Sequence, residues 1–366
     1  MTDEKDSKKF LLLTLEYPPF KGGVAHYYGH MVRHWPEGEV MVIDNSQNKL
    51  VDDKRNFLKW WPAIKTLSAN LRAGETSYVL VGHLLPLGTV AWLLSFVFKF
   101  KYCVFLHGYD LSLGWAQERK RWLIKAILNR ADKIIAANSY TQKQAQEIID
   151  YTARHKVFLV NPGVEAETIA YNEAEIETLK KRHNLSQKTV LLTVTRLVER
   201  KGVDMALEGL KLALREVFDL FYVIIGYGQD EARLRQKIAD LGLSQNVLIL
   251  TDDSDKLSWY KLADIFIMTA RQIGADVEGF GIVYLEAGLA GKPVIAGACG
   301  GVADAVADNV NGLMVDGVKP EQIAEAIIKL AKYEKLRQRL GDEGRRRALT
   351  MFNWRGQAKK IFEFLN

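Results

Sequence analysis

Short, uninterrupted apolar runs alternate with amphipathic stretches along the whole chain. Five lie in the first half, at residues 10–15, 79–81, 102–106, 133–137 and 156–160. Five more follow at 189–195, 220–225, 247–250, 265–268 and 293–296. Each is succeeded by a glycine or polar turn and then by apolar residues at helical spacing. A strand that is apolar at every position is covered on both faces, as in parallel sheets flanked by helices. Ten strand–helix units in two groups therefore predict two doubly wound α/β domains. The break falls near Asn161-Pro162-Gly163-Val164-Glu165, before a polar, helix-poor stretch at 166–173. We expect domains at 1–165 and 166–351. Residues 76–98 carry no Asp, Glu, Lys or Arg and are long enough to span a bilayer. Gly82, His83, Pro86 and Gly88 interrupt them, so a strand from Tyr78 and a helix over 89–98 are expected instead.

The length of 366 residues agrees with two domains, since single cores stop growing near ~250–300 residues. Cys103 and Cys299 are too few for a disulfide framework or a multi-cysteine zinc site, which points to a reducing, cytoplasmic location. The apolar run at 10–13 is too short for a signal peptide. The net charge of +6 is unevenly placed. Residues 1–165 hold 22 Lys and Arg against 16 Asp and Glu, whereas the remainder holds 28 against 28. An anionic partner for the first half is one reading and a solvated surface the other.

Open α/β sheets bind ligands beyond the carboxyl ends of their strands, so chemistry is sought in the loops that follow. After the first strand, Gly22-Gly23 lets a backbone approach a bulky ligand, and the helix beginning near Val24 adds its positive end. No G-x-G-x-x-G follows that strand, which excludes the dinucleotide fingerprint there. Next comes Leu106-His107-Gly108-Tyr109-Asp110, with a His and an Asp at the sheet's functional end. Arg196 and Lys201-Gly202 leave the strand at 189–195, and cations at a helix start suit phosphate oxygens. The richest segment runs from Asp276 through Glu278-Gly279-Phe280-Gly281-Ile282-Val283 to Glu286. Its glycines expose N–H groups at a helix start, and two carboxylates eight residues apart can each grip a vicinal diol, one on a sugar and one on a ribose.

Glu278 and Glu286 around Gly-Phe-Gly resemble the E-x7-E motif of retaining glycosyltransferases of family 4, which have the GT-B fold. The Gly22-Gly23 loop, His107-Gly108, Asn138-Ser139, Asn161-Pro162-Gly163, Arg196 with Lys201-Gly202, Gly226-Tyr227-Gly228 and Gly300-Gly301 agree in order and spacing. The resemblance implies α/β architecture with two Rossmann-like domains facing across a cleft. It makes 1–165 the acceptor-binding domain, joined by a returning C-terminal helix at 352–366, and 166–351 the donor-binding domain. It further implies that Arg196 and Lys201 clamp a pyrophosphate, and that Glu278 with the amides of Phe280, Gly281, Ile282 and Val283 holds sugar and phosphate. By the same match Glu286 binds ribose, His107 lies near the sugar's reacting face, and Gly22, Gly23, Asp110 and Gly226 contact substrate. The run at 277–287 is similar to mannosyltransferases acting on phosphatidylinositol mannosides, which puts GDP-mannose first among donors and UDP-glucose next.

Asp253-Ser254-Asp255 spells D-x-D, the manganese motif of another glycosyltransferase fold, but its setting is that of a helix cap. No metal and no cofactor beyond the donor are expected. The basic, aromatic segment at 115–130 (Trp115, Arg119, Lys120, Arg121, Trp122, Lys125, Arg130) reads as an amphipathic helix able to lie on an anionic membrane, and 57–62 is a second candidate. The alternative is an ordinary sheet-covering helix with its charges in water. A lipid-linked or glycan acceptor with peripheral membrane contact is expected, and no nucleic acid. The competing functions are a nucleotide-sugar epimerase of the same fold and a non-catalytic anionic-lipid-binding protein.

Overall fold

A computed structural model describes residues 9–20, 22–54, 58–74, 76–166, 172–251 and 256–366. The chain divides into two compact units, Met1–Pro162 with Trp354–Asn366, and Gly163–Asn353. The linker stretch at 167–171, Phe57 and the D-x-D residues 253–255 lie outside the described residues.

The N-terminal unit holds β1 (Phe10–Leu13), β2 (Val40–Ile43), β3 (Tyr78–Val81), β4 (Lys101–Leu106), β5 (Lys133–Ala136) and β6 (Val157–Leu159). They form one parallel sheet in the order β2-β1-β3-β4-β5-β6. Alternation of side chains explains why β1 is apolar throughout: Leu11 and Leu13 enter one core with Val79, Val81 and Ile127. Phe10 and Leu12 enter the opposite core with Tyr27, Tyr28 and Phe105. The last helix, Trp354–Leu365, covers this second core with Trp354, Ile361 and Leu365.

The second unit holds β7 (Thr189–Val194), β8 (Leu220–Ile225), β9 (Val247–Leu250), β10 (Ile265–Met268), β11 (Val294–Gly297) and β12 (Gly312–Val315). The order is β12-β11-β10-β7-β8-β9, again parallel. Its strands divide likewise, with Leu191, Ile265 and Ile267 on one face and Leu192, Phe266 and Met268 on the other. Strand order reverses between β1 and β3 in the first sheet and between β7 and β10 in the second, and such points open a crevice for ligands.

Three expectations are corrected. The described residues form twelve strands rather than ten, the additions being the edge strands β2 and β12. Residues 76–98 do give a strand and a helix, but the helix is Leu87–Leu94. Residues 115–130 are not one helix: Trp115 ends Tyr109–Trp115, and Glu118–Arg130 follows after a break at Ala116 and Gln117. The buried side of the later helix, Ile124, Ile127 and Leu128, packs on the sheet.

Candidate functional site

The loops after β7 and β10 meet at the second sheet's reversal point. Glu278 is buried, and its Oε2 accepts from Lys201 Nζ at 2.5 Å and from Arg200 at 2.6 Å. Arg200 also pairs through Nε with Asp276 at 3.0 Å. Burial alone would raise the Glu278 pKa, but Lys201 and Arg200 outweigh it and hold the carboxyl below its usual range. Lys201 is pushed below the ordinary lysine value, chiefly by burial and further by Arg200 and Arg196, against the attraction of Glu278. An anion arriving here would relieve that strain. Arg196 is exposed and forms no ion pair among the described residues. One Glu278 oxygen is thus committed to two cations, while Arg196 remains open beside them.

Backbone packing without side chains fixes these loops. Gly202 (φ +72°) ends the Lys201 turn and starts the helix Val203–Ala213, and a Cβ there would lie 1.9 Å from the Thr269 carbonyl oxygen. Thr269 Oγ1 in turn donates to the Gly202 carbonyl at 2.7 Å. Gly226 presses on the loop that carries Arg196, where a Cβ would meet the Thr195 oxygen at 1.8 Å. Its side-chain-free face is therefore occupied by protein. Gly300 backs onto the Glu278 carbonyl in the same way, where a Cβ would lie only 2.2 Å from the oxygen, and Gly301 N–H donates to that oxygen.

Behind the cations stands a pairing that the sequence reading missed. Arg271, two residues past Thr269, donates to both oxygens of buried Asp204 at 2.7 and 2.9 Å, and its backbone N–H donates to Arg200 O. This joins the start of the Val203–Ala213 helix to the end of β10. A cation leaving a strand at its carboxyl end was the only available signal, the same one that marked Arg196.

Gly281 (φ +82°) precedes the helix Ile282–Leu289, whose start has no side-chain cap. The N–H groups of Ile282 and Val283 therefore belong to the unpaired first turn. The Phe280 side chain is buried beside Phe352, leaving its backbone as the part available to a ligand. Glu286 is half-buried on that helix, and Tyr260, unremarked in the sequence, donates to its Oε2 at 2.8 Å. Its apolar neighbours thus do not leave it unpaired.

In the N-terminal unit, Gly22 stands at the N-cap position of Gly23–Arg33, whose start has no side-chain cap, and a Cβ on Gly23 would meet nothing within 4 Å. His107 follows β4. Tyr28 donates its hydroxyl to Gly82 O at 2.7 Å and lies 2.8 Å from His107 Nε2. A carbonyl only accepts, so the Tyr28 oxygen receives Nε2–H and the lone pair of His107 resides on Nδ1. Asp110 Oδ1 accepts from the N–H groups of His107 and Gly108, both at 3.1 Å, and so shapes the loop that presents His107.

Burial lowers His83 to about 4; burial, with His83 nearby, lowers His107 to about 3. Both are neutral in the fold, so their stabilising contribution is complete above an unfolded value near 6.5 and is lost as pH falls towards 4 and 3. Asp110, raised by burial to about 6, acts in the opposite sense, its contribution being lost as pH rises from about 4 through 6. Two groups against one predict a falling thermal midpoint on acidification from pH 7.5 to 4.5. His107→Gln should flatten the fall by up to about 1.4 kcal/mol per pH unit. A slope identical to wild type would mean that His107 protonates freely in the folded protein.

Residues 175–347, which contain this cluster, match the family described as Glycosyl transferases group 1. Over that segment the chain is a group 1 glycosyltransferase. Relatives along nearly its whole length bear this out. It is 28% identical over 382 residues to a GDP-mannose-dependent alpha-(1-6)-phosphatidylinositol monomannoside mannosyltransferase of Mycobacterium tuberculosis, covering 98% of each chain. A counterpart acting on the monoacylated lipid, from Corynebacterium glutamicum, is 28% identical over 383 residues, again with 98% of each covered. Among solved structures, Anabaena HepE in complex with UDP superposes with a TM-score of 0.81 at 19% identity, over 98% of this chain and 99% of that one. A Rickettsia africae glycosyltransferase gives 0.83 at 18% identity over the same shares. These likenesses show the GT-B fold for this glycosyltransferase, as its sequence motifs implied.

Proposed function

We propose that this glycosyltransferase moves a hexose, with retention of configuration, from a nucleotide diphosphate sugar to a hydroxyl of a lipid-linked acceptor, with GDP-mannose as the first candidate donor. The observation that carries the reading is the buried Lys201–Glu278–Arg200 cluster at the reversal point of the second sheet, with Arg196 open beside it. In transfer, the bond from the anomeric carbon to the phosphate oxygen breaks and its electron pair leaves with the diphosphate. Fixed cations at that oxygen favour the transition state over the ground state. Arg196 and Lys201 take the diphosphate, the first-turn amides at 281–283 take phosphate and sugar oxygens, and Glu286 takes the ribose hydroxyls. Glu278 is committed to Arg200 and Lys201, which makes it a poor nucleophile and a good rigid acceptor for sugar hydroxyls. The acceptor oxygen then attacks on the face the phosphate leaves, and its proton passes to the departing phosphate. In the N-terminal unit, His107 Nδ1 and the Gly22-Gly23 helix start are assigned to substrate hydroxyl and phosphate.

The mannosyl donor and glycolipid acceptor follow the activities for which the mycobacterial and corynebacterial relatives are named. A thermal-shift panel with GDP, UDP and ADP tests the donor side. The correct nucleotide at 100 times its dissociation constant should add about 2.7 kcal/mol of stability. Glu286→Ala should abolish most of that shift for the same nucleotide. If no nucleotide shifts the wild type, with or without magnesium, the donor reading fails.

A further inference from the structure

Among the described residues no helix is long and apolar enough to cross a membrane. One face of the N-terminal unit is nevertheless built as though water were not its neighbour. Leu93, Phe96 and Val97 stand at helical spacing at the end of Leu87–Leu94 and its following turn, and Phe96 and Val97 are 61% and 74% exposed. Trp122, 69% exposed, rises beside them from the helix Glu118–Arg130. Trp92 joins the two elements, meeting Phe96 edge-on at 5.4 Å and Trp122 at 5.8 Å.

The exposure is held in place rather than left loose. Arg130 lies 3.9 Å over the Phe96 ring, while its Nε and Nη2 donate to the hydroxyl and carbonyl of Ser95 at 2.5 and 2.8 Å. The turn bearing Phe96 and Val97 is therefore clamped from the neighbouring helix. Around this apolar row the charge is strongly one-sided. Glu118–Arg130 carries five Lys and Arg against one acid, all of these cations exposed. Arg121 and Lys125 face Glu118 and Asp150, whereas Arg119 and Lys120 form no ion pair among the described residues. Fixed aromatics flanked by uncompensated cations match an interface of acyl chains under anionic headgroups.

We propose that the face formed by Leu93, Phe96, Val97 and Trp122, with Arg119 and Lys120, seats the N-terminal unit on an anionic phospholipid surface. The sequence pointed to residues 115–130, but the apolar side of that segment is spent on the sheet. The lipid-facing apolar groups come mainly from the turn at 95–97. The proposal rests on the lipid-linked acceptor reading for its purpose, and its test is separate from it.

Flotation of the full chain with phosphatidylcholine vesicles, with and without phosphatidylglycerol, tests the face. Wild type should rise only with phosphatidylglycerol present, and less so in high salt. Phe96→Ser combined with Trp122→Ser should lower the vesicle-bound fraction about tenfold or more, while the thermal midpoint falls only slightly, because both side chains mainly face solvent and give up just their contacts with Trp92 and Arg130. Arg119→Glu with Lys120→Glu should do the same through charge. Equal recovery on both vesicle types, no recovery on either, or unaltered binding by the variants overturns the proposal. So does a change of oligomeric mass in the Phe96 and Trp122 variant without a change in flotation, which would make this a contact between copies. Lys201→Met should float like wild type, so loss of transfer and loss of membrane binding are read independently.

Discussion

Lys201→Met should reduce turnover from a nucleotide-sugar donor by roughly 10²–10³-fold while leaving the protein folded. The side chain is buried, and its ammonium is held 2.5 Å from Glu278 at the site where the diphosphate is assigned. Removing it withdraws a preorganised charge from the leaving group. Breaking a buried pair commonly costs about 3–5 kcal/mol because a charge is left alone. Here Glu278 keeps Arg200 at 2.6 Å, and methionine refills much of the lysine stem's volume, so about 1–2 kcal/mol is expected instead. Initial rates with the donor identified by thermal shift, measured beside the unfolding midpoint, separate the two effects. Turnover within a few-fold of wild type would remove Lys201 from the mechanism.

The largest loss of stability is expected at Gly202. Alanine there would require a left-handed backbone at φ +72° and a methyl group 1.9 Å from the Thr269 carbonyl oxygen. The obstructing atom is backbone of the neighbouring strand's end, which has little room to yield. Strain and overpacking together should cost about 3–5 kcal/mol in urea unfolding. Donor binding should fall as well, because Gly202 links the Lys201 turn to its helix. Gly23→Ala provides the contrast. Its Cβ would enter open space at the first position of a helix, so stability should change by less than about 1 kcal/mol. If a ligand phosphate uses that space, the same variant should weaken binding without weakening the fold. A stable Gly202→Ala protein would show that β10 and the Lys201 turn separate more easily than their hydrogen bonds imply.

Ten of the twelve described strands were legible as short apolar runs, and eight of these are interior strands of a parallel sheet, which are apolar on both faces. β2 and β12, both at sheet edges, escaped where the edge strands β6 and β9 did not. Each has a single neighbour, β2 is partly exposed along its whole length, and β12 is a four-residue run opening on Gly312. The segment at 115–130 read as one helix because its basic and apolar residues continue through the break, where Ala116 and Gln117 offer no strong stop signal. Loop positions of Arg196, Lys201 and Glu278 were visible from strand ends, and Glu286 from its spacing to Glu278 on the helix that follows. Partnership was not: Arg200 meets Glu278 from 78 residues away, Asp204 meets Arg271 from 67, and Tyr260 meets Glu286 from 26. Such pairs follow from strand order, which local periodicity does not encode. The same holds for Gly226, whose position after a strand suits a ligand contact as well as the backbone approach it makes to Thr195.

The closing helix Trp354–Leu365 completes a core begun at Phe10, with Trp354 edge-on to Tyr27 at 5.1 Å and Ile361 and Leu365 buried among β-strand residues. On the ribosome, therefore, the unit started first is finished last. While Gly163–Asn353 is being made and can already fold, the nascent N-terminal unit must wait with Phe10, Tyr27 and Phe105 lacking their cover. A message truncated before codon 354 would yield a finished second unit attached to an open first one, a product that chaperones and proteases can tell from the full-length chain by its uncovered aromatic surface.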